Sequence, residues 1–447
     1  MSTNVRKVIA VIITFIIMNI SLICELMGSS TLTMVLLILA GNAVILWIVL
    51  FTPINKNYKE LLKYRQLARG VSLLEIFMLS TALEIVYLVI VIMNYWDTNK
   101  KIIWLNIFVA FLVELVLFWV GIIRVYLTSS GIGIKWRVIG IILGYWPVLN
   151  LIALTKIMNI SYNELKLETD KIRINKERKD EMICKTKYPI LLVHGVFFRD
   201  FDFVNYWGRV PGELIQNGAD IYYGNQESAG SVADNGKFLA KRIKEIIEET
   251  GSEKVNIIAH SKGGLDSRYA ITCEGMAPYV ASLTTINTPH RGCIFADYLL
   301  DNIPKKIRDD VANQYNTTLI KLGDKNPNFI EAVTDLRATV CNERNEELKD
   351  AEGVHYYSVC SKMNKASSGR FPLNLCYPLV KNFDGENDGL VAVESAKWGE
   401  DFTFITTDKG RGISHADMID LNRENIKGFD VREFYVQYVH KLKKLGF

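Results

Sequence analysis

Five long apolar stretches fill the first third of this 447-residue chain, and they restrict its fold more than any other feature. The stretches span residues 7–27, 31–51, 73–95, 102–126 and 137–155. Each is close to the roughly 20 apolar residues that a helix needs to cross a bilayer. A buried helix of a soluble protein explains one such stretch, but a series with short connections is typical of a membrane domain. The sequence therefore predicts an all-α transmembrane bundle over residues 1–155, with one helix for each stretch.

Charges between these stretches predict how the bundle is oriented. The 52–72 connection carries five basic residues and one acidic residue, and Lys135 lies between Arg124 and Arg137 in a later connection. Loops rich in Lys and Arg stay in the cytoplasm, so both connections and the N-terminus are expected there. An odd number of spans then places the chain after Thr155 on the extracellular side of the cell membrane.

Two carboxylates, Glu84 and Glu114, fall near the middle of their apolar stretches, where an ionised group is costly. One interpretation is a polar site or partner contact inside the bundle. The other, which we favour, is a pair of glutamates that hydrogen-bond neighbouring helices together.

Composition excludes several classes of function. A formal net charge of +4 is too small and too scattered to indicate nucleic acid binding. Six of the seven cysteines lie after residue 183 without a C-x-x-C pair, so zinc and thioredoxin-like sites have little support. No metal and no cofactor is therefore predicted.

The rest of the chain alternates between strand and helix patterns. Residues 156–187 are charged and lack a sustained apolar face, which is typical of a linker. Strands are predicted at residues 188–195, 219–224, 254–260, 283–289, 355–360 and 401–407. A helix over residues 234–250, with Asp234 as its N-cap, separates two of them. This alternation predicts an α/β catalytic domain with a mainly parallel sheet over residues 188–447.

The stretch "IIAHSKGGLDSRYA", residues 257–270, runs from an apolar strand through a serine into a helical pattern. In a nucleophile elbow the serine sits on a strained strand-to-helix turn, and small residues are needed two positions to either side. Ala259 and Gly263 occupy those positions, so Ser261 is the candidate nucleophile. The backbone N–H of Lys262, and that of Val196 after the "HG" that ends an earlier strand, are candidate oxyanion donors. His194 in that "HG" is expected to orient its own loop.

A serine nucleophile needs a general base and an acid that orients it. The histidines after Ser261 are His290, His355, His415 and His440. His415 lies in the loop-like "GRGISHADM" and is the best candidate for the base. The stretch "FDGENDGLV" offers Asp384, Glu386 and Asp388 as acids, and Asp388 stands directly before a glycine and an apolar step.

These motifs resemble bacterial triacylglycerol lipases of the Pseudomonas and Burkholderia type, and more loosely the staphylococcal ones. The matching pieces are "YPILLVHGV", "KVNIIAHSKGGLDSRY", "NTPHRGCIFADYL", "NDGLV" and "SHAD", in that order. The resemblance implies an α/β-hydrolase fold. It also implies Ser261 as nucleophile, Asp388 as acid, His415 as base, and Val196 and Lys262 as oxyanion donors.

The chain departs from this family at the structural calcium site. Asp417 matches one calcium ligand, but Leu421 stands where the family has glutamine, and residues 361–368 offer no second acidic ligand. The staphylococcal zinc insertion has no match. Residues 293–335 correspond to the family's mobile lid, and "ADYLLDNIPKKIRDDVANQY" within them can form an amphipathic helix. Nothing in the family accounts for residues 1–155.

The sequence therefore predicts a membrane-anchored serine ester hydrolase, a lipase or esterase that acts on lipid or acyl-ester substrates of a bilayer. One alternative is a membrane transport or sensor protein with a degenerate hydrolase-like binding module. Another is an acyltransferase that uses the same three residues. A complete and correctly ordered set of Ser261, Asp388 and His415 favours the hydrolase.

Overall fold

A computed structural model describes residues 2–59, 61–96, 99–144, 146–196, 205–321, 327–408 and 410–447. The chain divides into two compact units, Met1–Ile174 and Asn175–Phe447.

The described part of the first unit is helical. Its helices are α1 (Thr3–Met18), α2 (Ile20–Leu26), α3 (Thr31–Leu50), α4 (Leu62–Tyr95), α5 (Lys100–Thr128), α6 (Gly133–Leu143) and α7 (Pro147–Glu177). Three of them, α3, α4 and α5, are long and apolar enough to cross a membrane, and α1 with α2 would make a fourth span bent by 60°. These helices cover the first four predicted stretches.

The fifth predicted stretch, residues 137–155, is wrong as a single span. It is divided between α6, of 11 residues, and the first turns of α7. Pro147 opens α7, and proline is well suited to a first helical turn but cannot continue a helix from the preceding turn. The count of five spans behind the predicted extracellular location is therefore not found among the described residues, which contain three candidate spans, or four with the bent pair. Helix α7 also extends through residues 156–177, which were predicted as linker.

A hydrogen-bond network surrounds Glu84 at the bend between α1 and α2. Asn19 Nδ2 donates to Glu84 Oε2 over 2.7 Å, and Asn106 Nδ2 donates to Asn19 Oδ1 over 2.9 Å. Glu114 Oε1 accepts a hydrogen bond of 2.7 Å from the Ser80 hydroxyl. These bonds join α1, α4 and α5, and they agree with the interpretation that the two glutamates connect helices.

The second unit contains a sheet of parallel strands. Its strands are β1 (Ile190–Val193), β2 (Ile221–Tyr223), β3 (Val255–His260), β4 (Val280–Ile286), β5 (His355–Ser361) and β6 (Asp401–Ile405). They lie in the order β2-β1-β3-β4-β5-β6, and every pair is parallel. Each predicted strand is present. The order reverses direction beside β1 and β3, and the site of an open α/β sheet lies at such a switch point.

Helices cover both faces of this sheet. The α-helices in the described part of the second unit are α8 (Val210–Gln216), α9 (Val232–Thr250), α10 (Lys262–Thr272), α11 (Ile294–Asn302), α12 (Lys305–Lys321), α13 (Phe329–Thr334), α14 (Ala338–Glu347), α15 (Leu373–Asp384), α16 (Val393–Ala396) and α17 (Val431–Lys444). One core packs Ile190, Leu192 and Ile258 against residues of α8 and α17. The other packs Leu191, Val193 and Ile257 against α9 and α10. Successive residues of β1 point to opposite cores, which explains its uninterrupted apolar run.

Candidate active site

Ser261 lies at the turn between β3 and α10. Its backbone has φ 55° and ψ −132°, a conformation that residues with a side chain rarely adopt. The turn is held by the Ser261 N–H, which donates to the Ile286 carbonyl over 2.9 Å, and by the Thr288 hydroxyl, which donates to the Ser261 carbonyl over 2.7 Å. Such strain costs about 1–3 kcal/mol and persists where the surroundings enforce it. The turn has the geometry of a nucleophile elbow.

The glycines around this turn are required by close approaches of the backbone. A Cβ on Gly263 would lie 2.3 Å from the His194 carbonyl oxygen, and one on Gly264 would lie 2.2 Å from a threonine hydroxyl oxygen. A Cβ on Gly195 would lie 2.9 Å from Ser261 Cβ. The loop after β1 therefore passes directly beside the serine.

Asp388 and His415 are hydrogen-bonded to each other. Asp388 is fully buried, and its Oδ2 lies 2.6 Å from His415 Nδ1. Its Oδ1 accepts from the backbone N–H groups of Leu390 and Val391, over 2.9 and 2.8 Å. This arrangement places the Nδ1 proton of His415 against the carboxylate and leaves Nε2 to accept another.

His415 also lies next to the serine turn. The ring of His260, the residue before Ser261, has its centre 4.4 Å from the centre of the His415 ring. No hydrogen bond joins Ser261 Oγ to His415 among the described residues. In hydrolases without substrate this bond is often long, and it shortens when the complex forms.

The other candidate histidines and acids are engaged elsewhere. His290, His355 and His440 hydrogen-bond to Thr285, Glu400 and the Ile183 carbonyl, respectively. Asp384 accepts the first N–H groups of α11, and Glu386 pairs with Lys362. Among the described candidates, Asp388 and His415 are the acid and histidine that meet.

The two predicted oxyanion donors belong to segments that lie beside the serine. Lys262 is the first residue of α10, where backbone N–H groups have no partner within the helix. Val196 follows Gly195, whose backbone passes beside Ser261, and its side chain packs with Leu319 and Ala332. His194 has ring nitrogens 2.7 Å from the Gly195 carbonyl and 3.0 Å from the Gln226 carbonyl, so it holds its own loop in place.

The Lys262 side chain forms a buried ion pair that the sequence reasoning missed. Its Nζ lies 2.6 Å from Asp266 Oδ1, and both side chains are 2% exposed. Asp266 Oδ2 accepts a further bond of 3.0 Å from Asn235. Burial raises the pKa of Asp266 to about 6, against the opposing effect of the Lys262 ammonium. The available signal was the i,i+4 spacing of opposite charges in a predicted helix.

A second missed feature is the environment of His260. This histidine is fully buried, and its Nδ1 lies 2.7 Å from the Tyr206 hydroxyl. Burial and the neighbouring His415 lower the pKa of His260 well below its usual 6.5. A histidine directly after the apolar run 257–259 of β3 was the signal for a special role.

The calcium implied by the resemblance does not fit this chain. Arg411 Nη2 lies 2.7 and 2.5 Å from the two Asp417 carboxylate oxygens, and Ser414 donates two bonds to Asp417 Oδ2. Arg411 Nη1 also donates to Glu424 over 2.9 Å. A guanidinium thus occupies the side of Asp417 that would face a cation. No group of three or more His, Cys, Asp or Glu that could hold a metal occurs among the described residues.

Comparison with known proteins finds ester hydrolases that are similar to parts of the second unit. Residues 221–342 match the family described as "Putative serine esterase (DUF676)". A triacylglycerol lipase of Pseudarthrobacter phenanthrenivorans is 42% identical over 26% of this chain, and that alignment spans 37% of the lipase. A triacylglycerol lipase of Pseudomonas fragi is 29% identical over 58% of this chain and 98% of that lipase.

Among solved structures, the mature lipase BlEst2 of Bacillus licheniformis is 27% identical, with a TM-score of 0.40 over 53% of this chain and 88% of that one. The fold assignment rests instead on the strand order and on the turn at Ser261. The second unit has an α/β-hydrolase fold, and the chain is similar to bacterial triacylglycerol lipases.

Proposed function

We propose that the chain is a membrane-anchored serine ester hydrolase that cleaves carboxylic esters of lipids. The observation that carries this proposal is the 2.6 Å bond between Asp388 and His415 beside the strained turn at Ser261. A strained serine beside an oriented imidazole is the arrangement that acyl transfer requires.

In the proposed reaction Ser261 Oγ attacks the ester carbonyl while His415 Nε2 takes the hydroxyl proton. His415 then gives this proton to the leaving alcohol as the carbon–oxygen bond breaks, which leaves an acyl group on Ser261. Water attacks the acyl-enzyme with the same proton transfers, and the free acid leaves. Asp388 keeps its charge throughout and stabilises the imidazolium.

The negative oxygen that forms during each attack is held by the backbone N–H groups of Val196 and Lys262. Hydrogen bonds aimed at a developing charge contribute more to catalysis than bonds to the resting substrate. Removing one such donor costs about a hundredfold to a thousandfold in rate.

A lipid substrate is supported by apolar surface on the second unit. Helix α15 exposes Leu375 and Leu379, and α12 exposes Ile307 and Val311. Exposed apolar residues of this size, grouped on helices, are typical of surfaces that meet lipid or another protein. The relatives named above are triacylglycerol lipases, which agrees with an ester of long-chain acids as substrate.

Membrane anchoring is supported by the first unit. Helices α3, α4 and α5 each contain an apolar segment of sufficient length, and much of their surface is apolar and uncovered. An anchor holds the hydrolase beside an insoluble substrate and raises the effective concentration of each for the other.

The test is labelling of membranes that contain the full chain with a fluorophosphonate, together with hydrolysis of an ester series of rising chain length. Ser261→Ala is expected to lose the label and at least about a thousandfold in hydrolysis. Ser267→Ala is the matched control, because Ser267 lies in the same helix and bonds the Gly263 carbonyl.

Equal labelling of wild type and Ser261→Ala would contradict the proposed enzymatic function and favour the alternative of a degenerate binding module. Label in the soluble fraction would contradict the anchor. A rate that falls with chain length, without a rise at aggregated lipid, would identify an esterase for soluble substrates.

A further inference from the structure

We infer that His260 is a positioning residue for the catalytic base, an inference that rests on the proposed function of His415. His260 ends β3 immediately before Ser261 and is 0% exposed. A fully buried imidazole is costly unless its polar atoms have partners. Its contacts therefore indicate what this position requires.

The His260 ring is bounded on one side by Tyr206 and Trp207. Its Nδ1 lies 2.7 Å from the Tyr206 hydroxyl, and the ring centres of Tyr206 and Trp207 lie 5.8 and 6.3 Å from its own. On another side the His415 ring packs at 4.4 Å, tilted by 52°. Since Asp388 holds one edge of His415, the imidazole is confined by a hydrogen bond and by a second ring.

The two imidazoles differ in their hydrogen-bond partners. This difference determines which of them holds the proton taken from Ser261. His415 has a carboxylate at Nδ1, whereas the partner of His260 Nδ1 is the uncharged hydroxyl of Tyr206. Burial and the nearby His415 lower the pKa of His260, which favours the neutral form. A proton taken from the serine is therefore retained by His415, and His260 confines that ring without competing for the proton.

Tyr206 extends this support to the oxyanion loop. A Cβ on Gly195 would lie 2.7 Å from the Tyr206 hydroxyl oxygen, so this hydroxyl sits directly beside the segment after β1 that carries Val196. The Tyr206–His260 pair thus connects that loop to the base across the serine turn. A displacement of about 1 Å in a catalytic group can cost about a hundredfold in rate.

The test compares Tyr206→Phe, His260→Leu and His260→Asn with wild type, all as full-length chains. Fluorophosphonate titration first counts the functional sites, and kcat per titrated site and KM are then measured on a soluble ester. We expect kcat per site to fall about tenfold to a hundredfold in Tyr206→Phe and His260→Leu, with KM within about twofold. The His260→Asn amide can still bond to Tyr206 and is expected to recover at least part of the loss.

Tyr356→Phe is the control. Tyr356 is a buried tyrosine of the other core whose hydroxyl accepts from the Ala351 N–H over 3.0 Å, so its loss should leave kcat per site unchanged. If Tyr206→Phe and His260→Leu lose titratable sites but keep wild-type kcat per site, the residues are merely structural and the inference is wrong. If wild type itself fails to titrate, the proposed function fails instead.

Discussion

Asp417, two residues after His415, is neutralised by a side chain of its own loop. Arg411 and Ser414 donate hydrogen bonds to its carboxylate, and Glu424 accepts hydrogen bonds from both Arg411 and Arg370. Burial raises the pKa of Asp417 while Arg411 opposes that shift, so the guanidinium supports the charged form. These hydrogen bonds hold the loop that carries the proposed base.

This replacement predicts that a calcium chelator changes neither hydrolysis nor thermal stability. Arg411→Gln is expected to lower the free energy of unfolding by about 3 kcal/mol, because a carboxylate with 2% exposure loses its counter-ion. Arg370→Gln is the control: Arg370 is 58% exposed and meets Glu424, so its loss should cost less than about 1 kcal/mol. Loss of activity on chelation, restored by calcium, would show that a metal site exists after all.

Ser261, Asp388 and His415 could be proposed from the sequence because each follows a recognisable local pattern. The supporting pairs were not accessible in the same way. Tyr206 and His260 are 54 positions apart, and their contact depends on the path of a loop after β1. Arg411 and Asp417 are close in sequence, but a turn with Gly412 at φ 72° decides that they face each other.

At the scale of elements, the residue at which each helix begins or ends depends on its cap, and the apolar pattern of the sequence predicts that residue only to within a few positions. Helix α9 was predicted to begin at Asp234, but its N-cap is Ser231, whose hydroxyl accepts from the Asp234 N–H. Gly251 ends that helix in the left-handed conformation, as its position suggested. The amphipathic helix predicted within residues 293–335 is two helices, α11 and α12, which Pro304 separates. Residues 322–326 of the predicted lid lie outside the described part.

Helix α12 carries an uncovered apolar stripe, and we predict that it contacts the lipid surface. Ile307 and Val311 lie four residues apart and are exposed, whereas Tyr315 stacks on Phe329 and Leu319 packs near Val196. Val311→Glu should lower hydrolysis of aggregated long-chain ester about tenfold, because burial of one such side chain contributes about 1.5–3 kcal/mol.

The same variant should leave hydrolysis of a soluble short-chain ester within about twofold, since the stripe is needed for adsorption and not for chemistry. Asn313→Glu adds the same charge to an exposed position off the stripe and serves as the matched control. An equal loss of hydrolysis on both substrates would mean that Val311 stabilises the active site and not the contact with lipid.

At the scale of the whole molecule, composition separated the apolar first third from the α/β remainder. The strand order could not be predicted from the sequence, because it depends on the face of the sheet against which each helical connection packs. The fifth span was wrong because hydropathy averages over the break between α6 and α7. The side of the membrane that holds the second unit therefore does not follow from the predicted span count.

Stability of the second unit is expected to fall below about pH 6.5 because His260 and His290 are buried neutral. Burial lowers the pKa of each, so the unfolded chain binds protons that the folded chain does not. The stabilisation from neutral His290 is present above its unfolded pKa of about 6.5 and is lost as the pH falls. The raised pKa of Asp266, about 6, has the opposite effect on the free energy of unfolding as the pH falls. The contribution of a histidine must therefore be measured by comparison with a variant.

His290→Gln removes one of these two contributions. Between pH 6.5 and 5.5, wild type should lose about 1 kcal/mol more of its free energy of unfolding than His290→Gln. The measurement is denaturant unfolding of the full chain in detergent at both pH values. His355→Gln, at an exposed position, should follow wild type. Parallel pH profiles for wild type and His290→Gln would mean that His290 is already protonated in the folded state.

The buried pair beneath the serine turn also has a consequence for how this family can diverge. Loss of either Lys262 or Asp266 alone would strand a charge at 2% exposure, at a cost of about 3–5 kcal/mol, whereas exchange of both for apolar residues is often neutral. A single substitution at either position is thus expected to be strongly destabilising, whereas a simultaneous substitution of both is expected to be tolerated. Related sequences should accordingly keep lysine and aspartate together or have neither, and the two positions should be inherited as a unit.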